Sequence, residues 1–386
     1  MTQNNLPKDW KIKTLGEVCE TTSGGTPSRG NKSYYNGTIP WVKSGELNKG
    51  IIYDTEEKIT EEAIKNSSAK IFPKGTLLIA LYGATIGKLA FLGVEAATNQ
   101  AVCGIYQNDS IDSKYIYNFL FHKKQDLVKQ GIGGAQPNIS QTILKKLAIP
   151  LPPIETQQAI VSKIEELFSE LDKGIEDLKT AQQQLKTYRQ SVLKWAFEGK
   201  LTNENVKDGE LPKGWEILKI KDICEIKGGK NQSKVINPNG KYPIYGSSGI
   251  FGYADEYICD ENTTIVGRKG NINSPLFVTT KFWNVDTAFG LCVNNKYDSK
   301  LLYYFCLGFN FKKLDKSTTI PSLAKSDILS IDLQVPPIEE QHQIVQEIES
   351  RLSVADKMEE SIAQSLQQAE ALRQSILKKA FSGQLL

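Results

Sequence analysis

Apolar residues return at every seventh position along two stretches of this chain. In the first, Ile164, Leu171, Leu178, Leu185 and Val192 form one row, and Phe168, Ile175 and Ala196 belong to a second row four residues on. In the other stretch the rows are Ile348, Ala355, Ile362, Ala369 and Ile376, with Leu352, Leu366 and Ala380. Glu, Lys and Gln fill the positions between. Such a heptad is the seam of a coiled coil, so each stretch predicts one long helix. The pairs Pro152-Pro153 and Pro336-Pro337 block helix upstream, and Gly199 and Gly383 supply the stops. From Glu155 to Phe197 a rise of ~1.5 Å per residue gives a rod of roughly 65 Å. Gly174 and the charged seam positions Arg189, Glu359 and Arg373 weaken the seam locally.

The two stretches are copies. Pro152–Leu201 returns as Pro336–Leu385, at an offset of 184 at both ends (336 − 152 and 385 − 201). The phrase LPKDWKIKTLGEVCE at Leu6–Glu20 returns as LPKGWEILKIKDICE at Leu211–Glu225, at an offset of 205 (211 − 6). A globular unit and the helix that ends it therefore occur twice. Thr98-Asn99-Gln100-Ala101 aligns with Val285-Asp286-Thr287-Ala288 at an offset of 187 (285 − 98). Most of the first unit's additional length, 18 residues (205 − 187), thus precedes residue 98, with Asn31 to Phe72 as its place. One rod alone would suit a generic dimerisation coil. Two rods in one chain, each closing a similar globule, favour pairing with each other as a spacer.

Within the globules short apolar runs alternate with Gly, Asn and Pro turns. Strands are expected at Gly75–Leu81, Leu89–Leu92, Ala101–Tyr106, Thr263–Val266, Leu276–Val278 and Phe289–Val293. Helices are expected at Glu61–Ser67, Lys114–Gln130, Ser140–Leu144, Lys300–Phe309 and Ser322–Leu329. Both units should end alike: a Gly- or Thr-rich loop with Pro137 or Pro321, a short helix, a strand, then Pro-Pro and the rod. The polar stretch Lys200–Glu210 links the halves. The fold class is α+β, as two similar mixed globules with two long helices in a repeat that starts at different points in the chain.

Composition narrows this picture. At 386 residues, with 40% hydrophobic and 24% charged residues, the chain has material for two or three real cores. No run of eighteen apolar residues predicts a membrane span, and MTQNNLPKDW does not resemble a signal segment, so a cytoplasmic location is expected. The six cysteines show no CxxC and no zinc spacing, as expected of reduced core thiols. A net charge of +3 and a pI near 8.3 suit nucleic-acid binding without arguing for it.

Candidate chemistry is mostly absent. His122 and His342, the two histidines, have no Cys, His or Asp cluster beside them in sequence, so a metal site is not expected. Gly83–Lys88 (GATIGK) and Gly228–Ser233 (GGKNQS) do not fit a phosphate-binding G-x-x-x-x-G-K-S/T loop. Neither a G-x-S-x-G elbow nor the Asn- or Asp-Pro-Pro-aromatic motif of amino-methyltransferases occurs. The pattern is that of a protein that binds. Its loops carry cations and amides beside glycines: Ser28, Arg29, Lys32, Tyr34, Lys43, Ser44, Tyr82, Thr85 and Lys88 in the first unit. In the second they are Lys230, Gln232, Ser233, Tyr245, Ser247, Ser248, Arg268, Lys269 and Asn271. Lys and Arg reach phosphates, Arg, Asn, Gln and Ser can read base edges, and glycine permits close backbone approach. Taken singly, each polar side chain is as well explained as a solvated loop residue, and each aromatic as packing; the clustering in both units favours nucleic acid.

Along essentially its whole length the chain resembles the specificity subunits of type I restriction–modification systems. The resemblance rests on the circularly repeated layout and on phrases: LPKDW and LPKGW; YYNGTIPWVKSGEL and TNQA; YPIYGSSGIFGY, GRKGNI and FWNVDTAF; PLPPIETQQAIV and VPPIEEQHQIV; LKWAFEGKL and LKKAFSGQL. It implies target recognition domains at 1–151 and, with the link, at 202–335, and conserved spacer helices at 152–201 and 336–386 that pair antiparallel as a coiled coil in a pseudo-twofold arrangement. It further implies that each globule reads one half of an asymmetric, split target in double-stranded DNA, with helix length setting the gap. Two modification subunits carrying S-adenosylmethionine would dock on this chain, and two restriction subunits using ATP and Mg could join; the chain itself would be non-catalytic and hold no cofactor. A self-contained methyltransferase or nuclease of related design, and a coiled-coil scaffold with no DNA role, are the competing classes.

Overall fold

The structure, a computed structural model, describes residues 6–48, 50–131, 138–203 and 205–386. Pro137, expected to turn the first unit's closing loop, lies outside the described residues. The chain forms two compact units: Met1–Asp177 with Ser365–Leu386, and Leu178–Gln364. Each takes in a globule and parts of both long helices, so the compact units do not follow the four segments in sequence.

The first unit runs β1 (Lys11–Thr14), α1 (Leu15–Val18), β2 (Thr21–Ser23), β3 (Tyr35–Val42), β4 (Gly50–Ile52), β5 (Lys58–Ile59), α2 (Glu61–Lys65), β6 (Ile71–Phe72), β7 (Leu77–Ala80), β8 (Leu89–Leu92), β9 (Ala96–Thr98), β10 (Val102–Ile105), α3 (Ser113–Gln130), α4 (Gln141–Lys145), β11 (Ala148–Leu151) and the start of α5 (Ile154–Phe197). Its larger sheet has the order β2-β10-β7-β8-β4, and a second sheet the order β5-β3-β9-β6 with β3 and β9 parallel. Strand β1 pairs antiparallel with β11, so the phrase that opens the globule is tied to the strand that enters the rod.

The second unit repeats the plan: β12 (Glu216–Lys219), α6 (Ile220–Ile223), β13 (Cys224–Gly228), β14 (Tyr242–Gly246), β15 (Gly249–Ala254), β16 (Thr263–Gly267), β17 (Leu276–Val278), β18 (Trp283–Asn284), β19 (Ala288–Val293), α7 (Ser299–Gly308), α8 (Lys325–Leu329), β20 (Asp332–Val335) and α9 (Ile338–Ala380). Its sheets are β13-β19-β16-β17 and β15-β14-β18, with β14 and β18 parallel, and β12 pairs with β20. The expected strands and helices are all present, with ends shifted by a few residues. Short strands such as β5, β6 and β18 escape the sequence pattern because two residues cannot show an alternation.

The rods form as long helices, and their antiparallel pairing is visible within each unit. In the first, Ile160, Val161 and Ile164 from the start of α5 share a core with Ile376, Leu377, Ala380 and Phe381 from the end of α9. In the second, Val192, Leu193 and Ala196 from the end of α5 share a core with Ile344, Val345 and Ile348. The charged seam residues are paired across the helices rather than left as gaps. Arg189 bridges Asp356 at 2.7 Å and Glu359 at 3.0 Å. Arg373 bridges Asp172 and lies 4.6 Å from the ring centroid of Phe168. The two residue numbers in Arg189–Asp356 and Arg373–Asp172 add to the same total, so both units use one register. Each pair contributes at most about 1 kcal/mol, because one partner is exposed. Their larger effect is on register, since a slip would strand a half-buried guanidinium.

A buried glutamine fixes each globule to its rod. Gln157 Oε1 accepts the N–H of Asp112 at 2.9 Å, while its Nε2 donates to the Pro152 carbonyl at 2.9 Å. Gln341 repeats this with Asp298 N–H at 2.7 Å and Pro336 O at 2.9 Å, and donates also to Lys296 O. Asp112 and Asp298 in turn cap α3 and α7 by accepting two backbone N–H groups each. At the far ends, Gly199 and Gly383 both stand at φ 73°, the left-handed helix stop, against the rings of Pro212 and Pro7. Among the described residues no helix is long and apolar enough to cross a membrane.

Candidate DNA-recognition surface

In the second unit the candidate loops converge on one segment, Asn284 to Thr287. Gly229 lets the 228–232 loop press against it, since a Cβ there would stand 1.8 Å from the Val285 carbonyl oxygen. Lys230 N–H then donates to Asn284 O at 3.0 Å. From the other side Arg268 and Lys269 donate their N–H groups to Thr287 O at 2.7 and 3.2 Å, and the Arg268 guanidinium donates to Asp286 O at 3.2 Å. The β14–β15 turn brings Ser247 and Ser248 to the same place. Gln232, Ser247, Ser248, Phe251, Asp286 and Thr287 line a groove of about 480 Å³. Lys230, Arg268, Lys269 and Asn271 are exposed around it.

Two candidates here also make local contacts. Tyr245 stands edge-on to Phe282, with ring centroids 5.4 Å apart, and burial raises its hydroxyl pKa. Ser233 donates its N–H to Asn231 Oδ1 and closes a turn.

The first unit divides its candidates between two places. Arg29 lies 4.6 Å from the Tyr35 ring centroid and 5.0 Å from that of Trp41, and pairs with Glu57 at 2.6 Å. Lys43 reaches Glu56 at 2.9 Å and Glu57 at 3.1 Å. Glu57 thus holds two of the cations singled out from sequence, and their charge lowers its carboxyl pKa. Lys32 and Ser28 are exposed, Tyr34 packs beside Trp41 and Ile59, and Ser44 opens a helical turn. The second place is the β7–β8 turn. There Tyr82 is 39% exposed, Thr85 donates its hydroxyl to Tyr82 O at 2.7 Å, and Lys88 is half-buried.

The candidate loops of the two units occupy the same frame. Gly24, like Gly229, closes on the segment ahead: a Cβ would lie 2.3 Å from Thr98 O. Leu81 O accepts Ile139 N–H as Arg268 O accepts Leu323 N–H, so Leu81 and Arg268 are counterparts. One is buried and apolar, the other an exposed guanidinium. Sequence reasoning looked for cations and amides, and so passed over Glu57, Asp286 and Phe251. The repeat did mark Asp286, as the counterpart of Asn99.

Beside the rods, by contrast, surface side chains recur. Lys114–Glu165 at 2.7 Å matches Lys300–Glu349 at 2.6 Å. The ring pair Phe91–Tyr117 at 5.5 Å matches Phe277–Tyr303 at 5.7 Å. Exposed Ser169, Lys173 and Glu176 return as Ser353, Lys357 and Glu360.

A family model for the type I restriction modification DNA specificity domain matches residues 7–180 and 212–368, one match for each copy. The chain belongs to this family. It is a DNA-specificity subunit rather than a catalytic one, and its two matched segments fit a target read in two halves. It is 29% identical over 424 residues to the type I restriction enzyme MjaIX specificity subunit of Methanocaldococcus jannaschii, covering 98% of this chain and 94% of that one. It is 30% identical over 191 residues to the EcoR124I/EcoR124II specificity subunit of Escherichia coli, covering 47% of each. Among solved structures, a chain from a study of type I R-M system assembly matches with a TM-score of 0.80 at 20% identity, covering 98% of this chain and 99% of that one. The HsdS subunit from Thermoanaerobacter tengcongensis matches with a TM-score of 0.67 at 20% identity, covering 98% of both. Those two share the fold.

Proposed function

We propose that the loops gathered at Asn284–Thr287 in the second unit, and at Thr98 and the β7–β8 turn in the first, are the faces that meet DNA. The observation that carries this is the contrast at counterpart positions. Leu81 and Arg268 sit on one frame yet offer opposite chemistry, as two different half-sites require. The cations Arg268, Lys269 and Lys230 would meet phosphates and base edges, and Ser247, Ser248, Gln232 and Asn271 base edges. In the first unit Tyr82 and Lys88 take these roles, with Ser28, Lys32 and Ser44; Arg29, Lys43, Tyr34 and Thr85 shape the loops.

The recurring surface beside the rods suits a partner taken twice. Two modification subunits, bearing S-adenosylmethionine, would dock there, one on each copy. Two restriction subunits with ATP and Mg are further partners of the assembled complex, which would act in the cytoplasm. The rods would set the unread gap between half-sites, and target adenines would be flipped into the modification subunits.

Methylation mapping of the complex tests the loop assignment. Arg268→Ala should weaken or relax one half-site only, by about 1–3 kcal/mol. Unchanged preference in both halves would remove Arg268 from the DNA face. Deleting one heptad from each rod should change the gap, and an active deletion variant with its original gap would sink the ruler.

A further inference from the structure

The groove of the second unit holds one side chain that does not belong with its neighbours. Gln232, Ser247, Ser248 and Thr287 are neutral and polar, and Phe251 is apolar and 51% exposed. Asp286 is an exposed carboxylate among them, and among the described residues no hydrogen bond or ion pair engages that carboxylate. Only its backbone carbonyl is used, by the Arg268 guanidinium. In the first unit the counterpart is Asn99, whose Oδ1 turns inward to accept Ala101 N–H at 3.2 Å. The carboxylate is therefore not needed to close this turn.

A free carboxylate on a surface that meets DNA repels every phosphate. It is tolerated where a donor faces it. Duplex DNA offers a carboxylate few donors, and in the major groove these are the exocyclic amino groups, N4 of cytosine and N6 of adenine. The element beside Asp286 is the β14–β15 hairpin of the β15-β14-β18 sheet, which carries Ser247-Ser248 at its tip, and strands are among the elements that read bases in the major groove. Arg268 and Lys269, fixed to Thr287 by their backbones, flank the groove, Arg268 as a base contact and Lys269 as a phosphate contact. We infer that Asp286 is a specificity-determining residue that accepts a hydrogen bond from one exocyclic amino group in the half-site read by the second unit. Ser247, Ser248 and Gln232 supply its neighbouring contacts. This rests on the loops being the DNA face, as proposed above.

The test uses the specificity subunit assembled with modification subunits, on its mapped target. Each adenine of the half-site disturbed by Arg268→Ala is replaced in turn by purine, which lacks the N6 amine. Each cytosine is replaced by pyrimidin-2-one, which lacks the N4 amine. One replacement should weaken binding of the unaltered complex about 10- to 100-fold, the equivalent of a good base contact, and its identity tells adenine from cytosine. Asp286→Ala should bind the amine-bearing and amine-less duplexes equally, while the other half-site keeps its full discrimination. Asp286→Asn, which preserves shape, should keep part of the sensitivity. The inference fails if no replacement weakens binding, if Asp286→Ala stays fully sensitive, or if both half-sites lose discrimination together. If Arg268→Ala disturbs neither half, the loop assignment itself fails; if it disturbs one and Asp286→Ala does not, only Asp286 is excluded.

Discussion

The two units share a frame down to single hydrogen bonds, yet differ wherever a loop meets solvent at the Asn284–Thr287 segment or its counterpart. Gln157 and Gln341 make the same clamp, and Gly199 and Gly383 the same stop. On that frame Leu81 faces inward where Arg268 faces out, and the Asn99 side chain closes a turn where no described residue engages the Asp286 carboxylate. Residues kept in both copies hold the frame or the recurring surface beside the rods. Residues that differ are free to carry recognition.

The comparison can be broken most severely at the helix ends. Phe381 is fully buried against Tyr115 and Phe119, whereas its counterpart Phe197 is half-buried and touches Phe305 edge-on. Phe381→Ala should cost about 3–5 kcal/mol in denaturant unfolding, and Phe197→Ala less than half of that. Equal losses would mean the two ends are equivalent after all.

The glutamine clamps come next. Gln157→Leu leaves the Asp112 N–H and Pro152 carbonyl without their partner, and Gln341→Leu leaves three such groups. A buried polar group left unmatched costs about 1–3 kcal/mol, so both variants should be destabilised, the second more. A neutral result for either would show that water replaces the amide.

Glu57 tests a smaller difference. Glu57→Gln should barely change stability, because exposed pairs contribute about 0–1 kcal/mol. It frees Arg29 while Glu56 keeps Lys43, so binding to non-target duplex should gain salt dependence, with a slope steeper by roughly 1 in log–log terms. No counterpart effect is expected from the second unit. Since the pKa of Glu57 is lowered by Arg29, the pair contributes above the ordinary carboxylate range and is lost as pH falls through the depressed value. Releasing Arg29 at acid pH should mimic the variant.

Smallest is a chemical signature. In the second unit the neighbouring thiols of Cys259 and Cys292 shift each other, lowering the pKa of the partly buried Cys292 and raising that of Cys259. In the first, burial raises Cys19 and Cys103 to about 11. Iodoacetamide at neutral pH should therefore label Cys292 first. Prior labelling of Cys19 or Cys103 would contradict this.

Much of the frame was legible in the sequence because a repeat compares a chain with itself. The heptads, the Pro-Pro pairs and the matching openings each recur, so Ile154–Phe197 and Ile338–Ala380 were readable as rods. The charged seam positions were misjudged as weak points, since a sequence cannot show that Arg189 lies opposite Asp356. The candidate site was read only in part. A list of cations, amides and hydroxyls finds Arg268 and Ser247, but it cannot see that Glu57 already holds Arg29, nor that among the described residues none engages the Asp286 carboxylate.

The meeting of Gly383 with Pro7, and of Phe381 with Tyr115, joins the end of α9 to the first globule, with the whole second globule between them in sequence. A ribosome that has made the first globule has not yet made the piece that completes its interior. Loss of residues 376–381 would therefore be felt in the core of the first globule, which should mature only after they have been made.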